Sequence, residues 1–409
     1  VNGTLDNTGG RIAGNGAALS LSAQRIDNVS GQVIHAGGAS GELRLDATTL
    51  NGAGGTIAGA GGLTLNVGGH ADLGGAQALT QADRVAITAG SLSTREAKLI
   101  AQNAARLSVT GTLDNTAGLV QSGGPLTVQA ATLTNRDGQI GGAGITLNGG
   151  TVDNAGQGLI SSTSSLTVAA DRLANAGQLQ AAGDLSAAVR DVLDNTGLIV
   201  SQGDARVNAE TFHHTGTLAA RGNVVVAGGT LDSTGTFAAG LKNDNTVDDR
   251  GDLTLTARDA THSGLSLAGG TFSLAADRAA LQGSRTQAGT VSLQALAGDL
   301  GLAQATVAAT RQLSLSASDV LDTSAAALSG GSVSIAAVDW RHAAGSLAQT
   351  DAAGAFRADV IGTIDNQGGR IGANAQSVSL NAGVLDNRGG DITHAGTGTL
   401  SVTATTFSG

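Results

Sequence analysis

Few residues in this chain are able to do chemistry, and one short stretch gathers many of them. Residues 238–252 read "AAGLKNDNTVDDRGD", with four carboxylates at Asp244, Asp248, Asp249 and Asp252 beside Lys242 and Arg250. Clustered carboxylate oxygens are what Ca²⁺ takes as ligands. The tripeptide Arg250-Gly251-Asp252 looks like an integrin-binding signal, a guanidinium and a carboxylate held apart by one glycine. Each feature also has a plainer reading. The carboxylates do not follow the order of a twelve-residue calcium loop, so a solvated acidic loop without a metal is expected. Gly-Asp-Leu opens strands elsewhere, at Gly183-Asp184-Leu185 and Gly298-Asp299-Leu300, so a single arginine in front is enough to create the match. The seven histidines, His35, His70, His213, His214, His262, His342 and His394, contain no i, i+4 pair and no HExxH. His213 and His214 are neighbours on a strand and face opposite ways. The glycine-rich run "GAGGTIAGAGG" (52–62) is followed by no Lys-Ser/Thr and opens no helix, so no phosphate loop is read there. No cofactor is expected.

A second set of polar residues is far more regular. "TLDNTGGRI" at 4–12 returns as "TIDNQGGRI" at 363–371, and related phrases recur between them. An apolar anchor is followed two residues later by Asn7, Asn28, Asn115, Asn135, Asn154, Asn175, Asn195, Asn366 and Asn387, usually with glycine close behind. Asn and Gly tolerate the positive φ of a tight corner. Stacked corners would let each Asn bond to the next, a ladder of the kind that steadies cross-β stacks. Between Asn195 and Asn366 the matching positions read His214, Ser233, His262, Thr323 and His342, so a less regular corner is expected there.

What must position these residues is a repeat. An apolar–polar–apolar triplet occurs about 19 times, from Leu19-Ser20-Leu21 through Leu166-Thr167-Val168 to Leu400-Ser401-Val402, with a period of about 21 residues. Alternation of period two is a strand with one buried face. The middle residue is Ser, Thr or Arg in all copies but Ala86 and Val225, which makes the outer face consistent. With the anchor segment and a third apolar position after the corner (Ile12, Ile57, Ile140, Ile199, Ile371), each unit offers three short strands and three corners. One such loop cannot bury its own apolar side, but stacking the next loop on it does. The reading is an all-β, right-handed parallel β-helix of about 19 coils, roughly 90 Å long at ~4.8 Å per coil. Residues 1–409 are expected to form a single shaft, a fragment of a longer chain, with a polar insertion of about nine extra residues projecting at about 239–252.

Composition agrees. There are 64 Gly, one Pro, no Cys, and 1% aromatic residues, so the core must be built in thin layers of small aliphatic side chains. Disulfides and thiolate metal sites are excluded. The net charge is −10, and the 22 basic residues are scattered, which argues against a nucleic-acid partner. No apolar run reaches the ~18 residues of a membrane span.

The phrase (L/I)DNxGGxI, then a glycine-rich turn, then LxLxA, resembles the haemagglutinin repeats of filamentous haemagglutinin-like exoproteins, including contact-dependent growth-inhibition proteins of Gram-negative bacteria. The resemblance covers nearly the whole chain. It implies two-partner secretion through an outer-membrane transporter recognised by an N-terminal domain absent here, and a secreted or cell-surface location. It implies a structural shaft that serves adhesion to host or neighbouring cells through a surface receptor, or presentation of a distal toxin. The alternative is a β-helix enzyme acting on polysaccharide, which would need long loops forming a cleft and gathered acids and bases. Only one insertion here is long, so no catalysis is expected in this segment.

Overall fold

The computed structural model describes all residues except Asn243 and Asn245. Contacts divide the chain into two units, Val1–Gly203 and Asp204–Gly409. Each is a parallel β-solenoid without a helix among the described residues, and together they make about 19 turns at about 21-residue spacing.

One coil of the first unit shows how the sequence produces the winding. In Leu166–Asn175 the side chains of Leu166, Val168 and Ala170 are buried, then Asp171 and Arg172 both turn outward, then Leu173 and Asn175 are buried. Period two would bury Arg172. Two successive outward residues mean that the chain has turned a corner. The short strand Gln178–Ala181 follows, with Leu179 and Ala181 buried. The coil thus has three straight runs but two strands. The first two runs merge into one strand of about ten residues, because ladder hydrogen bonding continues round the first bend. The sequence suggests three separate strands; in the structure pairing continues through the first bend even where it carries Gly149-Gly150 or Gly228-Gly229. In Leu79–Ser93 and Leu265–Ala280 the merging instead joins a short strand to the next long one.

Stacking sets like on like. Leu166 pairs with Leu185, Leu173 with Leu193, and Leu179 with Ile199. In the second unit Leu253, Phe272, Val291, Leu313 and Val333 form one continuous column. Every member of that column is buried to 2% exposure or less. Burying an aliphatic side chain of this size stabilises by ~1.5–3 kcal/mol, so each layer gains its stability from its neighbours and little from itself. Trp340, Phe212, Phe237, Phe272 and Phe356 are also interior, whereas Phe407, opposite Leu385 on the last strand, remains 62% exposed.

Candidate functional site

Most of the polar residues singled out above lie at two locations, an internal corner column and the insertion of the second unit; His35, His70, His213 and His394 lie on strands outside both. The column comes first because it recurs in both units. Register shows that the position after each anchor pair runs Asn7, Asn28, Gly52, Leu73, Thr94, Asn115, Asn135, Asn154, Asn175 and Asn195 in the first unit. These Asn side chains point inward and bond in one direction. Asn115 Nδ2 donates to Asn135 Oδ1 (2.7 Å), Asn135 to Asn154 (2.8 Å), Asn154 to Asn175 (2.8 Å) and Asn175 to Asn195 (2.7 Å). The same Nδ2 groups reach backbone carbonyls of the corner: Asn154 Nδ2 lies 3.1 Å from Gly158 O and 3.2 Å from Gln178 O. The run is broken at Gly52 and Leu73 and resumes where Thr94 Oγ1 donates to Asn115 Oδ1 at 2.8 Å. Counting Asn residues along the sequence passes over this gap; counting register would have found it.

The corner itself differs from the expectation that Asn supplies the positive φ. Gly10 N–H closes a turn onto Asn7 O at 2.9 Å, and the residue with positive φ is the third of the turn, Gly9 (63°). The same place holds Ser30, Glu96, Ala117 and Asp137, so non-glycine residues accept a left-handed backbone there. Asn is needed for its amide. The glycine after it is needed for space: a Cβ on Gly31, Gly118 or Gly138 would lie 2.6–2.7 Å from the Oδ1 of Asn28, Asn115 or Asn135. At several corners an Asp before the Asn faces outward and fixes the turn from outside. Asp6 Oδ1 accepts the Thr8 N–H at 2.9 Å and Asp365 Oδ1 that of Gln367 at 3.1 Å. Such an Asx turn is a recognised local use of Asp, and it accounts for the "DN" pair.

In the second unit the column reads His214, Ser233, His262, Leu281, Leu302, Thr323, His342, Asn366 and Asn387. His214 Nε2 donates to Thr236 O (3.0 Å), and Phe237 packs between His214 and His262 with centroids 4.5 and 5.4 Å away. Further along, Trp340 Nε1 donates to Thr323 Oγ1 (2.8 Å), and Thr323 Oγ1 meets His342 Nδ1 (2.8 Å). His342 Nε2 reaches Arg370 O (3.2 Å). A carbonyl can only accept, so Nε2 carries the proton and Nδ1 accepts from the threonine. Burial holds the His342 imidazole below its usual pKa, against the raising effect of these bonds. Asn366 Nδ2 donates to Asn387 Oδ1 at 2.6 Å.

The insertion leaves the solenoid at Gly240, whose φ is 78°, and returns at Asp252. Two of its positions, Asn243 and Asn245, lie outside the described residues. Leu241 and Val247 form an antiparallel bridge, and Lys242 N–H donates to Thr246 O at 2.7 Å. Asp244 Oδ1 accepts from Thr246 Oγ1 (2.6 Å) and N–H (3.1 Å), which holds its carboxyl below the usual range. Asp248 Oδ1 accepts the Arg250 N–H at 2.9 Å with the same consequence. Among the described residues no three His, Asp or Glu side chains converge as a metal site. Arg250 and Asp249 project into solvent, both 88% exposed, whereas Gly251 is buried against Gly240. Asp252 N–H donates to Asn223 Oδ1 (3.0 Å), and Asp252 Oδ1 accepts the Thr271 N–H (2.6 Å). Asp204 does the same for Asn223, its Oδ1 accepting that N–H at 2.9 Å. The aspartate of the Arg-Gly-Asp tripeptide therefore belongs to a column Asp204, Asn223, Asp252, Thr271 that ties the start of one strand to the next.

Elsewhere the outer face pairs its own charges. Arg25 with Asp27 and Arg44 with Asp46 are i, i+2 neighbours on the same face of a strand, Arg206 reaches back to Asp204 just before its strand, and Arg388 in a corner turn reaches back to Asp386. Arg258 spans two coils to Glu210, passing over Gly229, where any Cβ would collide with the pair. An open groove in the second unit is lined by Asp259, Arg278, Gln282, Asp299, Asp322 and Arg341, and within it Arg278 Nε donates to Asp259 at 3.0 Å.

Comparison with known proteins bears on what this framework is. No solved structure matches the chain. The toxin CdiA of Yersinia pestis is 33% identical to it over 160 residues, a stretch that takes in 36% of this chain and 5% of that protein. The chain thus corresponds to a small part of that relative's length. The haemagglutinin repeat matches residues 1–40, 38–117, 104–170, 163–257, 288–357 and 343–406. With the solenoid winding and the stacked (L/I)DN corners already in place, these matches over most of its length show that the chain belongs to the haemagglutinin repeat family of filamentous haemagglutinin-like proteins.

Proposed function

We propose that this chain is a stretch of the shaft of a secreted bacterial surface exoprotein, and that it holds a distal toxin or receptor-binding domain away from the cell. The observation that carries this reading is the in-register stacking of family repeats with one long insertion, in a chain similar to part of a toxin. On this reading the parent protein belongs to a Gram-negative bacterium and crosses the outer membrane through a two-partner-secretion transporter. It reaches a host or neighbouring cell, where a surface receptor engages the distal domain. The segment itself performs no catalysis: most of its arginines on the outer face are paired with neighbouring carboxylates, and its Arg-Gly-Asp tripeptide is a strand start whose carboxylate already accepts the Thr271 N–H.

The experiment is a deletion of two whole coils, residues 139–177, in the parent exoprotein. Register makes Gln139, Leu159 and Gln178 equivalent, so Gly138 joins Gln178 without disturbing the columns. The shaft should shorten by ~10 Å, with secretion and activity at the target cell retained. Loss of target-cell attachment with normal secretion would instead place a specific binding surface in those coils.

A further inference from the structure

We propose that the outer face of the first unit carries a binding site for an acidic sugar, in which Arg84 and Arg106 take the carboxylate of a uronate in a glycan chain.

Register builds the site. Glu42, Gly62, Arg84 and Ala104 stand in one outward column, and Thr64, Ala86, Arg106 and Thr127 in the column beside it. Arg84 and Arg106 therefore lie diagonally on adjacent coils, with Cα atoms roughly 8 Å apart. Ala86 and Ala104 occupy the opposite diagonal, and Gly62 brings no side chain. Two long side chains beside three minimal residues leave an open depression of about 370 Å³.

The charges in it are unequally engaged. Arg84 makes one contact, 3.2 Å from Nη1 to Asp83 Oδ2, and its side chain is 59% exposed. Asp83 also accepts from Asn103 Nδ2. Arg106 is exposed, and among the described residues no carboxylate or carbonyl holds its guanidinium. Arg44, three coils earlier in the same column, pairs with Asp46 two residues on. Two residues on from Arg106 stands Ser108, which offers no charge. At the far end Glu42 folds over Gly62, where any Cβ would meet its Oε2. Its Oε1 accepts the Thr64 hydroxyl at 2.7 Å, which leaves Oε2 open.

This arrangement selects a chemical class. Two guanidinium groups within reach of each other fit one carboxylate, which arginine binds through paired N–H donors. Glu42 lies two coils from Arg84, ~10 Å along the axis, and repels a second anion there. A run of phosphates is therefore a poor occupant. Glu42 Oε2 accepts from neutral hydroxyls, and the Thr127 hydroxyl can donate or accept. The floor of Gly62, Ala86 and Ala104 gives no apolar hole for a lipid chain or a large peptide side chain. One carboxylate joined to a neutral polyol meets all three conditions, and a glycan with an isolated uronate is such a molecule. The site lies outside residues 139–177, so its failure and the failure of the shaft proposal are separate results.

The test is calorimetric titration of the 409-residue chain at low ionic strength with glucuronosyl-xylobiose, a trisaccharide with a single carboxylate. Saturable binding is expected. The methyl ester of the same trisaccharide, the variant Arg106→Ala and the variant Ala104→Glu should each bind on the order of tenfold more weakly. Arg285→Ala, which removes the same charge from the second unit, should bind as the wild type does. No saturable binding, equal binding of the ester, unchanged affinity in Arg106→Ala and Ala104→Glu, or an equal loss in Arg285→Ala overturns the proposal. Inorganic phosphate that binds as tightly as the trisaccharide overturns the assignment to a sugar.

Discussion

Replacing Asn154 by alanine tests the corner column most directly. Asn154 has Asn neighbours on both sides and is fully buried. Its Nδ2 serves Asn175 Oδ1, Gly158 O and Gln178 O, and its Oδ1 accepts from Asn135 Nδ2. After truncation Asn135 Nδ2 keeps two carbonyl partners, Gly138 O at 3.2 Å and Leu159 O at 3.4 Å. Gly158 O keeps the Gln178 N–H at 2.8 Å. The group left worst off is Asn175 Oδ1, buried and deprived of the Asn154 donor. One buried acceptor without a partner costs ~1–3 kcal/mol, and the other lost bonds add about 1 kcal/mol net. The expected loss is therefore about 2–4 kcal/mol. Asn154→Thr should recover part of it, because Thr94 shows that a hydroxyl in this column can donate to the next Asn. The assay is urea unfolding with hydrogen exchange at Ala176 and Gly177, whose N–H groups both donate to Asn154 O. Unfolding of a stacked array need not be one transition, so the local exchange readout decides. If Asn154→Ala matches the wild type in both measurements, or if the threonine variant is no better than the alanine one, the ladder does not stabilise the coil as argued.

Other expectations follow from the same geometry. Thr323→Val keeps the shape but strands the buried Trp340 N–H and His342 Nδ1, and should cost ~2–4 kcal/mol in thermal or urea unfolding. Gly118→Ala brings a Cβ to 2.6 Å from Asn115 Oδ1 and into the Thr94 carbonyl, so its coil should lose ~1–3 kcal/mol; unchanged unfolding would show that the corner has spare room. Asp252→Glu should leave attachment to integrin-bearing cells unchanged, measured by adhesion to immobilised protein, while Asp252→Ala speeds exchange of the Thr271 amide it caps.

Much of this molecule could be read locally. The Leu-x-Leu triplets, the anchors and the corner phrases each lie within a few residues of one another, and period two is a property of the extended chain itself. The Asp-Asn pair was legible as a turn for the same reason, although the division of labour between the two side chains was not: Asp caps from outside within two residues, whereas Asn acts inward on a partner about 20 residues away. The positive φ was misplaced because nothing in the pair Asn-Gly says which residue of the turn is left-handed.

What the sequence determined alone was the unit: short strands, polar corners and a period, because one-sided strands of that length have no stable arrangement except against a copy of themselves. What only the tertiary structure decided was which residues stand above one another. Gly52 and Leu73 fall in the asparagine column, Arg258 finds Glu210 two coils away, Asp252 is tied to Thr271, and Phe237 seats between the rings of His214 and His262. Each of these depends on how the bends take up differences in coil length: Asn115, Asn135, Asn154 and Asn175 are 20, 19 and 21 residues apart yet stand in one column, and that alignment is settled only when the backbone ladder closes.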